Sequence, residues 1–379
     1  MTTSRNLLDY PNLNSCFNQV GINYFISEGL FSMTGENINQ YIQNANGFVF
    51  TDNKSQITYF YNLKSSTYIF SLKAHYFKYC AYELKAHDNL NSTSKKILSS
   101  TLKLMDFFTN LTNVDEMIYV NHNWGSTTLW DSSFKNFLSS HEIPKMNKPF
   151  LFRSLNKDHL PEFEKLPKKD WLILYYREAL VYENDQSISK KCLKNLEKDF
   201  MLVGKHSYEV VGENSLNNDD YLRIEKLYQM LYLNKYTNLN PCYTAAFFKA
   251  KVVDKHFKLF CLRKQGKIDA FALYEIRNNL MQVPCIGYDT SLPKELGLYL
   301  QITSTFTRYA LENKIKFYAS DGCAKFKINR GANSYPEFCA IYIDNCNIVK
   351  KLSLRLFATL INKVWRRLMP KYFFGLNSS

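Results

Sequence analysis

The fold of this chain is decided by the reading of residues 318–344, YASDGCAKFKINRGANSYPEFCAIYID. An apolar segment runs into a turn at Asp321-Gly322, and a basic block follows, Lys325-Phe326-Lys327-Ile328-Asn329-Arg330-Gly331-Ala332. A second apolar strand is expected from about Phe338. Lys327 and Arg330 stand three apart, so on a helical turn they share a face and suit one phosphate or carboxylate. Gly331 is expected to meet a backbone need, either φ > 0 or a close approach of neighbouring chain.

Outward from that stretch, the second half reads in a regular order. Leu296 to Asn313 has the spacing of a long amphipathic helix, and Ile315 to Ala319 that of a strand. Before the helix come three strands, Phe257 to Arg263, Asp269 to Ile276 and Leu280 to Tyr288. Turns at Gln265-Gly266-Lys267 and Arg277-Asn278-Asn279 join them. Thr244 to Val252 reads as a helix. So does the segment from the caps Asn218-Asp219-Asp220 to about Tyr236. Tyr208 to Val211 is strand-like, and a basic helix opens near Ser187 and stops near Gly204. The tail, Val349 to Tyr372, has helical spacing with a broad apolar face and a cationic opposite side.

The first half is less regular. Strands are expected at Ile22 to Leu30, Phe48 to Thr51, Met117 to Val120, Phe150 to Phe152 and Trp171 to Val181. A meander is expected over Ile57 to Leu84. Helices are expected over Glu36 to Asn44, from Ser92 to about Asn110, and over Thr128 to Ser139. A soft boundary near residue 186 divides the chain into 1–186, 187–348 and a basic helical tail, 349–379. The fold class is therefore α/β (α+β), with mixed, mostly antiparallel sheets flanked by helices.

A chain of 379 residues has room for two domains, and its 46% hydrophobic content can fill their cores, so disorder is not expected. Nine cysteines form no CxxC pair, and their odd number suits reduced thiols rather than a disulfide frame or a zinc framework. The start, MTTSRNLLDYPNLNS, has no apolar core after its arginine. With no run long enough to span a bilayer, a cytoplasmic protein is expected. A formal charge of +14 favours phosphate-bearing partners: nucleic acid, a nucleotide-tailed cosubstrate or an anionic membrane.

Four pieces together resemble a family. They are the basic helix Ser189-Lys190-Lys191-Cys192-Leu193-Lys194-Asn195-Leu196-Glu197-Lys198, the hairpin strand Lys267 to Tyr274, the strand end Gly287-Tyr288-Asp289, and the turn Lys327 to Ala332. In this order they resemble the GNAT acyltransferase fold, and more narrowly its FemAB-related branch of tandem GNAT-like halves. The resemblance covers about two-fifths of the chain, residues 187 to 345. It implies a degenerate first half and an acyltransferase second half. The implied reaction is attack of an amine on an acyl group carried by acyl-CoA or another thioester, accelerated by proximity and backbone oxyanion donors.

That resemblance also implies roles. Asp289 would assist deprotonation of the amine, with Tyr288 and Lys327 beside it in catalysis. Lys294, Gly297 and Leu298 would hold the donor with Arg330 and Gly331. The family's phosphate loop opens a helix with small residues, whereas here Tyr299 stands where a small one is expected. Aminoacyl-tRNA is therefore the alternative donor, with a cell-wall precursor or small metabolite as acceptor. A GNAT-like binding module without catalysis is the third reading. Tyr274, Cys323 and the loop carrying His122 and Trp124 are lesser candidates. The histidines lack metal-ligand spacing, so no metal is expected. The Arg366-Arg367 end of the tail is the candidate contact with an anionic membrane.

Overall fold

The computed structural model describes residues 31–33, 38–45, 47–52, 58–62, 92–112, 117–120, 148–157, 159–183, 188–253, 256–320, 322–344 and 346–367. Several expectations lie outside these residues: the strand at 22–30, the later meander runs at 67–84, the helix at 128–139, the loop of His122 and Trp124, and the chain beyond 367.

The first half contributes β1 (Phe31–Met33), β2 (Gly47–Asp52), β3 (Thr58–Asn62), α1 (Ser92–Thr112), β4 (Ile118–Val120), β5 (Phe150–Leu155), α2 (Leu160–Glu164) and β6 (Trp171–Tyr182). The second half begins with α3 (Lys190–Lys205), β7 (Glu209–Gly212), α4 (Asn218–Tyr228), α5 (Ala245–Val253), β8 (Phe257–Lys264) and β9 (Lys267–Arg277). It continues with β10 (Leu280–Tyr288), α6 (Leu298–Glu312), β11 (Lys316–Tyr318), α7 (Ala324–Ile328), β12 (Asn333–Tyr342) and α8 (Ile348–Leu360). Both α4 and α8 run on as π-helix, over Gln229–Tyr236 and Ile361–Trp365.

The strands form one sheet in the order β1-β2-β3-β4-β5-β12-β6-β11-β10-β9-β8-β7. Among the described strands, β4/β5 and β10/β11 are parallel and the other neighbours antiparallel. The class is therefore α/β, with a mostly antiparallel sheet flanked by helices. The sheets expected for the two halves join edge to edge. The joining strand is β6, which precedes residue 186 yet hydrogen-bonds to β12 on one side and β11 on the other. Its sequence explains this placement. WLILYYREALVY is nearly continuous in apolar and aromatic residues, as a strand buried on both faces requires.

The pleat separates two cores. Along β9, Ile268, Phe271 and Leu273 join the core under α4, α5 and α8, while Ala270, Ala272 and Tyr274 join the core under α3 and α6. Caps set the helix starts. The Ser189 hydroxyl accepts from the Cys192 amide at 3.3 Å, so the cap of α3 lies two residues later than Ser187 and the helix begins at Lys190. Asn217 and Asp220 form a reciprocal capping box at α4.

Two local expectations need correction. The cationic turn is a short helix, α7, and β12 begins at Asn333 rather than Phe338. The early start follows from pairing: β12 runs beside β6 from Asn333↔Val181 onward, so a polar first half is carried by strand partners instead of by its own apolar alternation.

Candidate functional site

The sheet opens between β10 and β11. These parallel strands are joined by α6, and they lie side by side only from Leu280 to Gln282 opposite Lys316 to Tyr318. Beyond Gln282 the register of β10 against β9 shifts, and β10 continues to Tyr288 with β9 alone. The chain leaving β11 goes the other way. The Ala319 amide donates to Leu180 O at 2.7 Å, and the Leu180 amide to Ser320 O at 3.0 Å, which ties this segment to β6. The two strand ends thus diverge, and α6 begins at the open end.

Gly297 starts α6 in the left-handed region, φ +63°, and supplies no side-chain cap. The first-turn amides of Leu298, Tyr299 and Leu300 have no acceptor within their own helix, and the positive end of the helix dipole lies there. Lys294 is exposed at the head of the short turn Lys294–Leu296 that leads into this start.

Aromatic rings and one ammonium line the opening. Tyr288, at the end of β10, lies 6.2 Å from the Tyr299 ring, and Tyr299 lies 5.1 Å from Phe326 of α7. From the π-helical segment, Lys235 donates to the Tyr288 hydroxyl at 2.9 Å. Tyr228 and Tyr232 stack at 4.7 Å behind it, and Tyr232 meets Tyr236 at 6.2 Å. Gly287 lets the end of α4, from which this segment continues, come close. A Cβ there would stand 2.9 Å from the backbone of Leu227 and Tyr228 and 2.3 Å from the Phe271 ring. Burial, followed by a hydrogen bond to Cys323, pushes the Tyr299 hydroxyl well above its ordinary pKa, so it stays protonated as a donor. Cys323 is exposed and left-handed, φ 55°, at the head of α7.

The charged residues singled out in the sequence take internal partners. Asp289 is buried and accepts from Arg223 at 2.5 Å and from the Ser291 amide at 3.0 Å, with Lys267 3.7 Å away. Burial works against its charge, but hydrogen bonds from Ser291 and Arg223 prevail and hold its pKa at about 2. Such a carboxylate is ionised near neutrality and orients the cations beside it. Arg223 also reaches Asp269 at 3.4 Å and Ile268 O at 2.8 Å, locking α4 to β9.

Lys327 bonds the Ala319 carbonyl through its ammonium, and its own carbonyl accepts from the Tyr182 hydroxyl at 3.3 Å. Arg330 pairs with Asp199 of α3 at 2.5 Å and stacks over Phe326 at 3.6 Å. The two cations therefore do not present one shared anion-binding face; they clamp α7 to β11 and α3. Gly331 serves the backbone need expected of it. Its φ is +99°, and a Cβ would press to 2.8 Å from Ile188.

Lys235, Arg223 and Asp199 escaped the sequence reading. Each sits in an ordinary amphipathic helix pattern, and its partner is far away in the chain, 131 residues in the case of Asp199 and Arg330. Tyr274 is a core residue stacked on Phe260 at 4.5 Å. Among the described residues no group of His, Cys, Asp and Glu is arranged to hold a metal ion.

No family model and no curated protein matches the sequence. Solved structures resemble the fold at low identity. L-PGS from Bacillus licheniformis is 12% identical, covering 64% of this chain and 82% of its own, with a TM-score of 0.44. FemX is 11% identical over 59% of this chain and 80% of its own, at a TM-score of 0.40. A GCN5-related N-acetyltransferase-like protein from Streptococcus suis is 11% identical over 60% of this chain and 78% of its own, at a TM-score of 0.29.

Proposed function

We propose that this protein is a GNAT-type transferase that moves an acyl group onto an amine at the opening between β10 and β11. The carrying observation is that opening itself: parallel strands that part after Gln282, with an uncapped helix start at Gly297 beside them. Such a gap exposes strand-edge amides and first-turn helix amides together, the donors that an activated carbonyl and an anionic carrier need. The Leu298 to Leu300 amides, with Gly297 and Lys294, would hold the anionic part of acyl-CoA or another thioester. Lys235 and Tyr288 would stabilise negative charge on the leaving group, and protonated Tyr299 would donate beside them. Asp289, through Arg223, fixes the β10 end. Lys327, Arg330 and Gly331 hold α7 against the opposite wall.

A second reading takes aminoacyl-tRNA as donor. The observation favouring it is Tyr299, whose ring occupies the first turn of α6 between Tyr288 and Phe326, where a pyrophosphate needs close approach. Calorimetric titration with CoA, acetyl-CoA and bulk tRNA separates the two. The acyl-CoA reading expects micromolar or tighter CoA binding, improved by Tyr299→Ala. The second reading expects tRNA binding that weakens steeply with salt. No binding of any of the three overturns both readings and leaves a module without catalysis.

A further inference from the structure

The tail helix α8 and its π-helical extension are amphipathic in an unusual way. Inward, Leu354, Phe357, Ile361 and Trp365 bury against the sheet, and Asn362 clips the helix to β6 by accepting from the Tyr175 amide at 2.8 Å and donating to Ile173 O at 2.7 Å. A helix so anchored has an outward face fixed in direction. That face is not polar: Ile348, Val349, Leu352 and Leu356 are 74%, 65%, 55% and 51% exposed. Their spacing is that of one helical stripe. Helix α1 packs along α8 and turns Ile97, Leu104 and Phe107 outward as well.

The charges carried by this helix have one sign. Residues 346 to 367 hold lysine or arginine at 350, 351, 355, 363, 366 and 367, and no aspartate or glutamate. Lys351 is paired with Asp344 at 3.1 Å, and Arg355 donates to Lys169 O at 2.8 Å. Lys363 and Arg367 remain exposed at the far end of the same helix.

We infer that this face docks on a lipid bilayer carrying anionic headgroups, with the aliphatic stripe sunk at the headgroup boundary and the cations above it. Apolar area and anionic attraction act together at such a surface. A second copy fits worse, because a two-fold contact would bring the same cationic face against itself. Nucleic acid fits worse, because the α8 stripe offers aliphatic groups where a base needs a ring to stack on.

The test is co-sedimentation of the full chain with phosphatidylcholine vesicles, with and without phosphatidylserine. The expected result is capture by the anionic vesicles only, weakened by salt. It should fall at least tenfold in Leu352→Ser/Leu356→Ser, and also in Lys363→Glu/Arg367→Glu. Both pairs are exposed, so thermal midpoints close to wild type will show that the fold is kept. Equal capture of wild type and both variants, or none by anionic vesicles at low salt, overturns the inference. So does a dimer in the absence of lipid that the serine variant converts to monomer, which would assign the face to a second copy.

Discussion

Two junctions of the sheet make an instructive pair. At β6/β12 the strands run together from Asn333↔Val181 to Tyr342↔Trp171, across one register slip, and charged side chains there pair within the junction. Arg177 meets Glu337 at 2.8 Å, both buried, and Glu178 accepts from Ser334 at 2.7 Å and Tyr175 at 3.2 Å. At β10/β11 the strands part after Gln282, and the polar groups nearby, Lys235, Tyr288 and Cys323, stand at the edge of solvent. One junction spends its hydrogen bonds on cohesion, and on the proposed reading the other offers its polar groups to a ligand. Substitutions at the first should therefore change stability, and substitutions at the second should change binding.

The largest expected effect is at the closed junction. Arg177→Ala leaves Glu337 buried without its cation, a loss of about 3–5 kcal/mol by urea unfolding. Replacing both residues with leucine should restore much of it, and a double variant as unstable as the single would remove the ion pair from the explanation. Gly287→Val comes next. Its side chain meets the backbone of Leu227 and Tyr228 and the Phe271 ring. The expected cost is about 3 kcal/mol, together with loss of whatever the opening binds, because the π-helical wall must shift. Binding that survives with full affinity would show that this wall is not part of the site.

Arg330→Met should cost about 2 kcal/mol, since Asp199 loses a charge-assisted partner. The smallest effect is a pH dependence. Asp289 titrates at about 2 when folded, below an ordinary carboxylate, so its contribution is present above pH 4 and disappears as pH falls toward 2. Asp289→Asn should lower stability at pH 7 and remove that acid-side loss. Unfolding curves of both proteins at pH 7, 4 and 3 read it directly, and parallel declines would place the acid sensitivity elsewhere.

Much of the second half was legible because its signals are local. Caps, two tight hairpin turns and the period of α6 fix their own elements. Gly331 was readable too, since its backbone demand is local. The insertion of β6 between β12 and β11 was not, because a nearly continuous apolar strand states that it is buried and not which strands flank it. The partners of the cationic block were hidden for a related reason. Lys327 and Arg330 looked available on a short turn, but their partners, Ala319 O and Asp199, arrive through tertiary packing. Conversely Lys235 looks like any surface lysine until the π-helical turn swings it onto Tyr288.

The account rests on the β10/β11 opening being where a donor enters, and hydrogen exchange tests that directly. With acetyl-CoA or aminoacyl-tRNA added, whichever binds, exchange should slow at the free edge of β10, Val283 to Tyr288, and at the first turn of α6, Leu298 to Leu300. The β6/β12 junction should stay as it is without ligand. Protection confined to any other part of the chain, with these two segments unchanged, would contradict the account.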